Sequence, residues 1–322
     1  MSDGIVLYND ITNNDRLTAM PSLSGRLLDD FTAYLQVAQA SSETYLKCIR
    51  QFFAYLESRN ISVPTEKTIL EYKAYLEENH YTPATMQLYI VAVKKFFAWT
   101  EKKNYYPNVA KDIKGVKVDK MHKKDALTSE QVRDVLAEMP ADTLIGVRNR
   151  AIITLMVICG LRDIEVVRAN VEDLRTKGNK RVLMIQGKGQ NEKNDFVIIP
   201  EYAEQVIREY FKERGSASGH DPLFASHGNR NVGGRMTTRS VNRIAKKAFS
   251  AIGLNDKRIT AHSLRHTAIT TALLAGVPIA EVSQFARHKN IATTMIYNHA
   301  IEKEQNPCTA AISDMLFNPK KE

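Results

Sequence analysis

Apolar and aromatic residues recur every three to four positions over residues 23–104, and this spacing predicts amphipathic helices. We expect four helices, because four apolar stripes are separated by short polar or proline-containing breaks. Ser41 or Ser42 is predicted to cap the second helix, Pro64-Thr65 to open the third, and Thr82-Pro83 to open the fourth with the proline in its first turn. The stripes, which would form the core of a bundle, carry Phe31, Tyr34, Tyr45, Phe52, Tyr72, Leu88, Phe96 and Trp99.

After residue 126 the pattern alternates helices with short strand-like runs. Thr128 and Gln131 fit a capping box, and a long apolar helix is expected over residues 144–159, ending at Gly160. Runs rich in β-branched residues at 181–186 and 195–199 predict two strands joined by a hairpin loop. Further helices are predicted over residues 201–214, 237–252, 259–272 and 278–286, from His288 towards Tyr297, and over 309–317. The predicted fold is mainly α with a small β-sheet: a helical bundle followed by a mixed α+β domain.

Breaks in the pattern predict five segments. Residues 1–22 are a polar arm, 23–104 the helical domain, 105–126 a linker, 127–306 a second domain, and 307–322 a tail with a short apolar helix. The linker carries a lysine at every third position from Lys111 to Lys123, with Lys124 beside the last. A flexible basic connection of this kind suits contact with a phosphate backbone. The alternative is a solvated linker that is charged only for solubility, and DNA contact is favoured because the flanking domains agree with it.

Composition narrows the class of protein. Lys and Arg number 45 against 36 Asp and Glu, a formal net charge of +9, which favours a polyanionic partner such as nucleic acid. The three cysteines are widely spaced and lack a C-x-x-C motif, which argues against a disulfide or zinc-finger framework and for a reducing compartment. The longest apolar run, residues 151–161, is too short to span a bilayer, and the N-terminus lacks signal-peptide features. We therefore expect a soluble cytoplasmic protein without a membrane partner.

The densest chemistry lies in residues 261–299. His262 and Arg265 are one helical turn apart, so both side chains can face one object, and an imidazole with a guanidinium suits a phosphate. Tyr297 is then a candidate nucleophile. Taken singly, each residue is more typical of a solvated helix face or a core position. The ordered combination with Arg162, after an apolar helix, and Lys188, in the hairpin loop, is far more specific.

This combination resembles the catalytic signature of the tyrosine recombinase (phage integrase) family over about residues 25–317. The spacing fits, with 23 residues from Arg265 to His288 and 9 more to Tyr297, and so do the G-L-R, G-K-G, H-x-L-R-H-T and Y-x-H contexts. The catalytic set that the resemblance implies is Arg162, Lys188, His262, Arg265, His288 and Tyr297. One departure is the Ala286-Arg287 pair, where many relatives have Leu-Gly. The layout is similar to compact Xer-type enzymes or mobile-element integrases that lack an arm-binding domain.

The resemblance implies DNA strand exchange without metal or cofactor. Tyr297 would attack phosphorus to give a 3′-phosphotyrosyl link, Arg162 and Arg265 would hold the non-bridging oxygens, and Lys188 would protonate the leaving 5′-hydroxyl. His262 and His288 would bond the phosphate, with His262 also assisting Tyr297. The implied partners are double-stranded DNA with an inverted-repeat core site, further copies forming a dimer on a site and a tetramer in synapsis, and a directionality factor. The implied architecture is a core-binding, SAM-like bundle and a catalytic domain in a C-shaped clamp around DNA, with the tail helix docked on a neighbouring protomer.

Charged positions outside the catalytic set are assigned supporting roles. Glu165, three residues after Arg162, can hold that guanidinium in place. Basic residues on the second and fourth helices, the linker, the helix at 237–252 and the turn before His288 are candidate DNA contacts. They are Lys47, Arg50, Lys94, Lys95, Lys117, Lys120, Arg239, Arg243, Lys246, Lys247 and Arg287.

Several functions remain open at this stage. Integration or excision of a mobile element is favoured, with Xer-type resolution of chromosome or plasmid dimers as the alternative. A non-catalytic DNA-binding factor and a type IB topoisomerase-like enzyme are less favoured. A zinc hydrolase built on His262 and His266 is disfavoured, because Ser263 stands where the glutamate of H-E-x-x-H belongs and no third ligand is evident.

Overall fold

A computed structural model describes residues 25–35, 39–118, 126–187, 192–228 and 231–317. The chain divides into two compact units, residues 1–119 and 120–322. Within the described residues, no helix is both long enough and apolar enough to cross a membrane. The predicted arm, Lys120 and Lys188 all lie outside the described residues.

The first unit is a helical bundle. Its helices are α1 (Gly25–Leu35), α2 (Gln39–Ser58), α3 (Glu66–Glu78) and α4 (Pro83–Lys102). The aromatic stripes predicted from the sequence meet in its core, where Phe31, Phe96 and Trp99 are fully buried and their rings contact one another. Thr65 and Thr82 are the N-caps of α3 and α4, as the sequence predicts. The predicted cap of α2 was wrong, because Ser41 and Ser42 lie inside a helix that begins at Gln39.

The segment that follows α4 packs against this bundle. Tyr106, Ala110 and Ile113 are buried in the same core, and the Tyr106 hydroxyl donates to Pro64 O at 2.8 Å. The Lys94 ammonium donates to the main-chain carbonyls of Lys111 and Ile113 at 3.1 and 2.6 Å. The interpretation of residues 105–126 as a flexible linker was therefore wrong for residues 105–118, since buried apolar side chains anchor them.

The second unit surrounds a buried helix with other helices and a small sheet. Its helices are α5 (Ser129–Ala137), α6 (Leu144–Ile158), α7 (Asp163–Arg168), α8 (Glu201–Arg214), α9 (Thr238–Ala251), α10 (Ala261–Leu274), α11 (Ile279–Phe285), α12 (Ala292–Glu304) and α13 (Cys308–Phe317). Helix α6 is apolar on nearly every side and packs against α8 and α10. This central position explains why its sequence reads as a continuous apolar run.

The sheet is an antiparallel meander in the order β1-β2-β3. Its strands are β1 (Leu174–Lys177), β2 (Lys180–Ile185) and β3 (Asp195–Ile198). The predicted hairpin corresponds to β2 and β3, in which Leu183 pairs with Val197. Strand β1 escaped the sequence analysis because it is four residues long and mostly exposed. The predicted fold class, mainly α with a small sheet, is confirmed.

Candidate active site

The candidate residues lie on separate elements of the second unit, which the fold brings together. Helix α6 ends at a turn in which Gly160 has φ 59°, and Arg162 follows as the N-cap of α7. His262 and Arg265 lie in the first turns of α10, and Tyr297 lies in the middle of α12. A helix start at His288 was predicted wrongly: α12 begins at Ala292, and His288 lies in the turn that joins it to α11.

Tyr297 is enclosed by histidine rings. Its phenolic oxygen shares a hydrogen bond with His266 Nδ1, and the two ring centroids are 5.1 Å apart. The His262 ring stands edge-on to His266 at 4.6 Å, and the His288 ring is stacked 6.4 Å from Tyr297. The turn also orients His288, whose Nδ1 lies 2.8 Å from the Thr294 hydroxyl. The structure therefore brings His262, His288 and Tyr297 into one cluster and adds His266.

His266 is the residue that the sequence analysis missed. It is absent from the signature set of the family that the sequence resembles. It is only 3% exposed, and it lies one helical turn after His262 on α10. That i, i+4 spacing was the available signal, and it was considered only for a zinc site. Among the described residues, no group of three potential ligands is placed to hold a metal ion.

The two predicted arginines converge on the same turn from different helices. Arg162 Nη2 lies 3.3 Å from Ala286 O and 3.4 Å from Arg287 O. Arg265 donates to Gly160 O at 2.5 Å and, through Nη2, to Ala286 O. Arg265 is 2% exposed, whereas the Arg162 side chain is 22% exposed. In this state main-chain carbonyls occupy donors that the sequence analysis assigned to a phosphate.

Glu165 holds the cationic cluster together. Its carboxylate accepts from Arg162 Nη1 at 2.7 Å, from the Arg162 backbone N–H at 2.8 Å, and from Arg287 Nη2 at 2.8 Å. Burial raises the pKa of Glu165, but Arg287 and Arg162 outweigh it and hold the pKa below its ordinary value. Three guanidiniums, including that of Arg265, thus surround one carboxylate. The surplus of positive charge suits a phosphodiester and the further charge that develops on it during attack.

Burial also affects the candidate nucleophile. It raises the pKa of Tyr297 to about 12, although Arg265 and Arg162 act in the opposite direction. At neutral pH the phenol therefore carries its proton and needs an acceptor before it attacks. Burial and the neighbouring Arg162 and Arg287 lower the pKa of Arg265 to about 9, which still leaves the guanidinium charged at neutral pH.

The predicted DNA contacts separate into exposed and internally bonded side chains. Arg287 is the clearest change, because its side chain points inward to Glu165 and is only 9% exposed. Lys94 binds main-chain carbonyls within its own unit, and Lys246 donates to Asp256 O at 2.8 Å. The remaining candidates within the described residues are exposed: Lys47, Arg50, Lys95, Lys117, Arg239, Arg243 and Lys247.

Sequence comparisons identify the family to which this chain belongs. Residues 125–304 match the profile described as the phage integrase family, and residues 27–107 match the one described as the phage integrase N-terminal SAM-like domain. The first match alone covers more than half of the chain. The chain therefore belongs to the phage integrase family.

Two relatives of this chain are named tyrosine recombinases. A tyrosine recombinase of Synechococcus elongatus is 32% identical over 206 residues, which make up 64% of this chain and 63% of that protein. The chain thus spans less than two thirds of that relative's length. Tyrosine recombinase XerA of Pyrococcus horikoshii is 28% identical over 284 residues, covering 86% of this chain and 90% of XerA.

Solved structures share the fold. The XerH site-specific recombinase, bound to palindromic difH substrate in a post-cleavage complex, gives a TM-score of 0.73 at 20% identity, covering 91% of this chain and 86% of XerH. The Tn1549 transposon integrase in complex with transposon right end DNA gives 0.65 at 18% identity, covering 87% and 98%. At these identities the likeness concerns the fold alone.

Proposed function

We propose that this protein cuts and rejoins double-stranded DNA at specific sites through a 3′-phosphotyrosyl intermediate. The observation that carries the proposal is the convergence of Tyr297, three histidines and the Arg162–Glu165–Arg265 cluster on one turn, in a chain of the phage integrase family. Surface charge supports DNA as the substrate, because α9 exposes Arg239, Arg243 and Lys247.

In this mechanism the Tyr297 oxygen attacks phosphorus as the bond to the 5′-oxygen breaks. Tyr297 gives its proton to the His266–His262 pair, because His266 already shares a hydrogen bond with the phenol. Lys188, which lies outside the described residues, supplies a proton to the leaving 5′-oxygen. Attack by another strand's 5′-hydroxyl on the phosphotyrosine reverses the step and releases Tyr297. The phosphodiester bond energy is conserved, so no nucleotide cofactor is consumed.

The arginines stabilise the charge that grows on the non-bridging oxygens. Arg162 is the more accessible of the two, and its contacts to the carbonyls of Ala286 and Arg287 are long enough to exchange for phosphate oxygens. Arg265 and Tyr297 are both buried in the present state. The phosphate therefore gains access when Tyr297 and the α12 helix that carries it move, and DNA binding supplies the energy for that movement.

We further propose that the tail helix α13 docks on a second copy of the chain. Every residue of α13 is exposed, including the apolar side chains of Ile312, Met315, Leu316 and Phe317. Its complement is an apolar groove of about 550 Å³ between α5, α6, α10 and α11, lined by Val132, Val157, Ala272, Val282 and Phe285 among others. A groove so close to α11 links assembly to the catalytic turn, which supports activity in an oligomer on DNA.

Integration or excision of a mobile element is the biological role that we favour. Its support is the departure at Ala286-Arg287 from the Leu-Gly pair that many relatives have. Dimer resolution of the Xer type is the second candidate, because XerA is similar over 86% of this chain.

Trapping of a covalent protein–DNA adduct tests the function. The chain is incubated with fragmented genomic and element DNA in chelator, denatured, and compared with Tyr297→Phe. We expect a 3′-linked adduct from the wild type and none from the variant, which loses only the hydroxyl. Binding without an adduct would favour a non-catalytic DNA-binding factor. Sequencing the trapped DNA separates the roles, since ends of a mobile element indicate an integrase and one constant chromosomal site indicates dimer resolution.

A further inference from the structure

The turn between α11 and His288 contains a residue in the left-handed conformation that glycine usually adopts, and this residue is not a glycine. Its N–H groups close a Schellman motif, with Arg287 bonding Gln284 O at 2.9 Å and His288 bonding Ser283 O at 3.1 Å. In that motif the residue after the C-cap adopts a left-handed conformation, and glycine is the usual occupant. Arg287 holds this place with φ 53°. This backbone conformation is less favourable for arginine than for glycine, so interactions of the Arg287 side chain must offset the difference in free energy.

The compensation is a set of buried hydrogen bonds. Arg287 Nη1 donates to Phe285 O at 2.8 Å, and Nη2 donates to Gly160 O at 2.9 Å and to Glu165 Oε2 at 2.8 Å. These acceptors belong to three separate places in the chain: the end of α11, the turn after α6, and α7. A glycine at position 287 would keep the turn and remove all of these links.

We propose that Arg287 is a positioning residue, which locks the α11–α12 turn to Glu165 and Gly160. It thereby fixes the positions of Arg162, Arg265 and His288, which bind the phosphate in the proposed function. This inference rests on the proposed function and names the residue through which this chain holds that site in register. Arg287 acts through its neighbours and does not itself touch the DNA.

Two main-chain carbonyls connect the turn that Arg287 holds to the phosphate-binding arginines. The carbonyl of Ala286, in the same turn, accepts hydrogen bonds from both Arg162 and Arg265. The carbonyl of Gly160 accepts from Arg265 as well as from Arg287. A shift of the turn therefore moves both guanidiniums at once. It also moves His288, whose backbone N–H closes the turn.

A phosphate contact by Arg287 is the alternative, and salt dependence distinguishes the two roles. A side chain that binds phosphate releases counterions, so its loss lowers the salt slope of DNA affinity by about one. A buried positioning residue leaves that slope unchanged while the cleavage step slows. The measurements are DNA affinity against salt concentration and single-turnover cleavage of a nicked DNA site that traps the adduct.

The variants are Arg287→Gly, Arg287→Lys, Glu165→Gln and the double variant Arg287→Gly/Glu165→Gln. We expect Arg287→Gly to cleave about a hundredfold more slowly, the scale on which a displacement of about 1 Å acts. Arg287→Lys should recover part of the rate, because it restores the charge without the fork. The double variant should be no slower than the slower single variant, since both changes break the same link.

His80→Gly is the matched control. His80 follows the C-cap of α3 with φ 57°, and its N–H and that of Tyr81 close the same motif on Glu77 O and Leu76 O. The side chain of His80 is exposed. This variant relieves the same backbone conformation and should leave cleavage at the wild-type rate.

The pH profile supplies a second readout that a purely structural role would not move. The charged groups that face Glu165 are Arg162 at the start of α7, Arg287 from the turn and Arg265 from α10. Without Arg287, Glu165 is protonated at a higher pH, so Arg287→Gly should lose activity as the pH falls. That acid loss should vanish when Glu165→Gln is added.

The outcomes separate this inference from the proposed function. Absence of an adduct with the wild type overturns the proposed function. A wild-type adduct with Arg287→Gly cleaving within twofold of it overturns the positioning role, as does a salt slope lowered by one. A hundredfold loss with unchanged slope, partial rescue by lysine and a normal His80→Gly control supports it.

Discussion

The phenolic oxygen of Tyr297 and Nδ1 of His266 share a hydrogen bond inside the second unit, although the residues lie 31 positions apart. Burial raises the pKa of Tyr297 to about 12, so the phenol keeps its proton at neutral pH. A ring nitrogen of His266 therefore already contacts the phenol before DNA arrives. We therefore propose that His266 takes part in the chemistry, although it is absent from the signature set.

We predict that His266→Gln slows DNA cleavage about a hundredfold, the lower end of the effect of general acid–base groups. Glutamine keeps a hydrogen-bonding side chain but takes up no proton, so DNA affinity should remain unchanged. Single-turnover adduct formation with the nicked DNA site measures the rate. His299→Gln is the control, because His299 is exposed and bonds Glu302 at 3.2 Å. Cleavage by His266→Gln at the wild-type rate would leave proton removal to His262 alone.

A glycine substitution tests the turn between α6 and α7. Gly160 has φ +59°, and an added Cβ would meet ring carbons of Phe285 at 3.0 Å, so Gly160→Ala combines backbone strain with a clash. The matched control is Gly253→Ala, where φ is +80° and nothing lies within 4 Å. The free energy of unfolding should fall by about 1 kcal/mol in Gly253→Ala, from backbone strain alone, and by more in Gly160→Ala.

Activity separates these two variants further. The Gly160 carbonyl receives Arg265 and Arg287, so a displaced turn should reduce cleavage in Gly160→Ala, whereas Gly253→Ala should cleave normally. Urea unfolding and single-turnover cleavage are measured on both. Equal losses of stability with normal cleavage would mean that the turn absorbs the methyl group by moving Phe285.

Glu165→Gln should lower the free energy of unfolding by about 3 kcal/mol, because it leaves the buried guanidinium of Arg287 and the partly buried one of Arg162 without their counter-ion. In the wild type the pKa of Glu165 lies below its ordinary value near 4.5, so the stability that this carboxylate contributes is fully present above that value. The contribution is lost as the pH falls through the lowered folded-state pKa. The stability gap to the wild type should therefore be constant near neutral pH and narrow in acid.

The control for this prediction is Glu302→Gln. The Glu302 side chain is 61% exposed, and its partners, His299 at 3.2 Å and the Asn298 amide at 2.6 Å, lie on its own helix, so the change should cost less than about 1 kcal/mol. Urea titrations across pH compare both variants with the wild type. A Glu165→Gln chain as stable as the wild type at neutral pH would show that burial of the carboxylate cancels its ion pairs.

Local signals in the sequence predicted much of this site. The capping box at Thr128 and the end of α6 before Gly160 follow from short-range chemistry, and so does the Arg162–Glu165 pair at i, i+3. What failed depended on tertiary contacts. Arg287 reads as a surface cation because the carboxylate that it meets lies 122 residues earlier in the chain.

The first unit contains the same kind of failure. Residues 105–118 read as a flexible basic linker because their lysines dominate the pattern, while apolar side chains between them, including Tyr106, Ala110 and Ile113, pack on the core. Lys94 reads as a DNA contact because its carbonyl partners lie on that segment. Hydrogen bonds to main-chain carbonyls leave no trace in the identity of the accepting residues, so periodicity cannot reveal them.

Lys94 and its neighbour Lys95 allow a last test of DNA contact against internal bonding. Lys94→Ala removes a charged donor from two carbonyls and should cost the first unit about 1–2 kcal/mol, with an unchanged salt slope for DNA binding. Lys95 is exposed, with its ammonium 5.8 Å from the centre of the Tyr45 ring. Lys95→Ala should do the reverse, because the loss of a phosphate contact lowers the salt slope of DNA affinity by about one and leaves the stability of the first unit nearly unchanged. DNA affinity against salt and urea unfolding measure both. If Lys94→Ala lowered the slope at unchanged stability, Lys94 would exchange its carbonyl partners for DNA phosphate on binding.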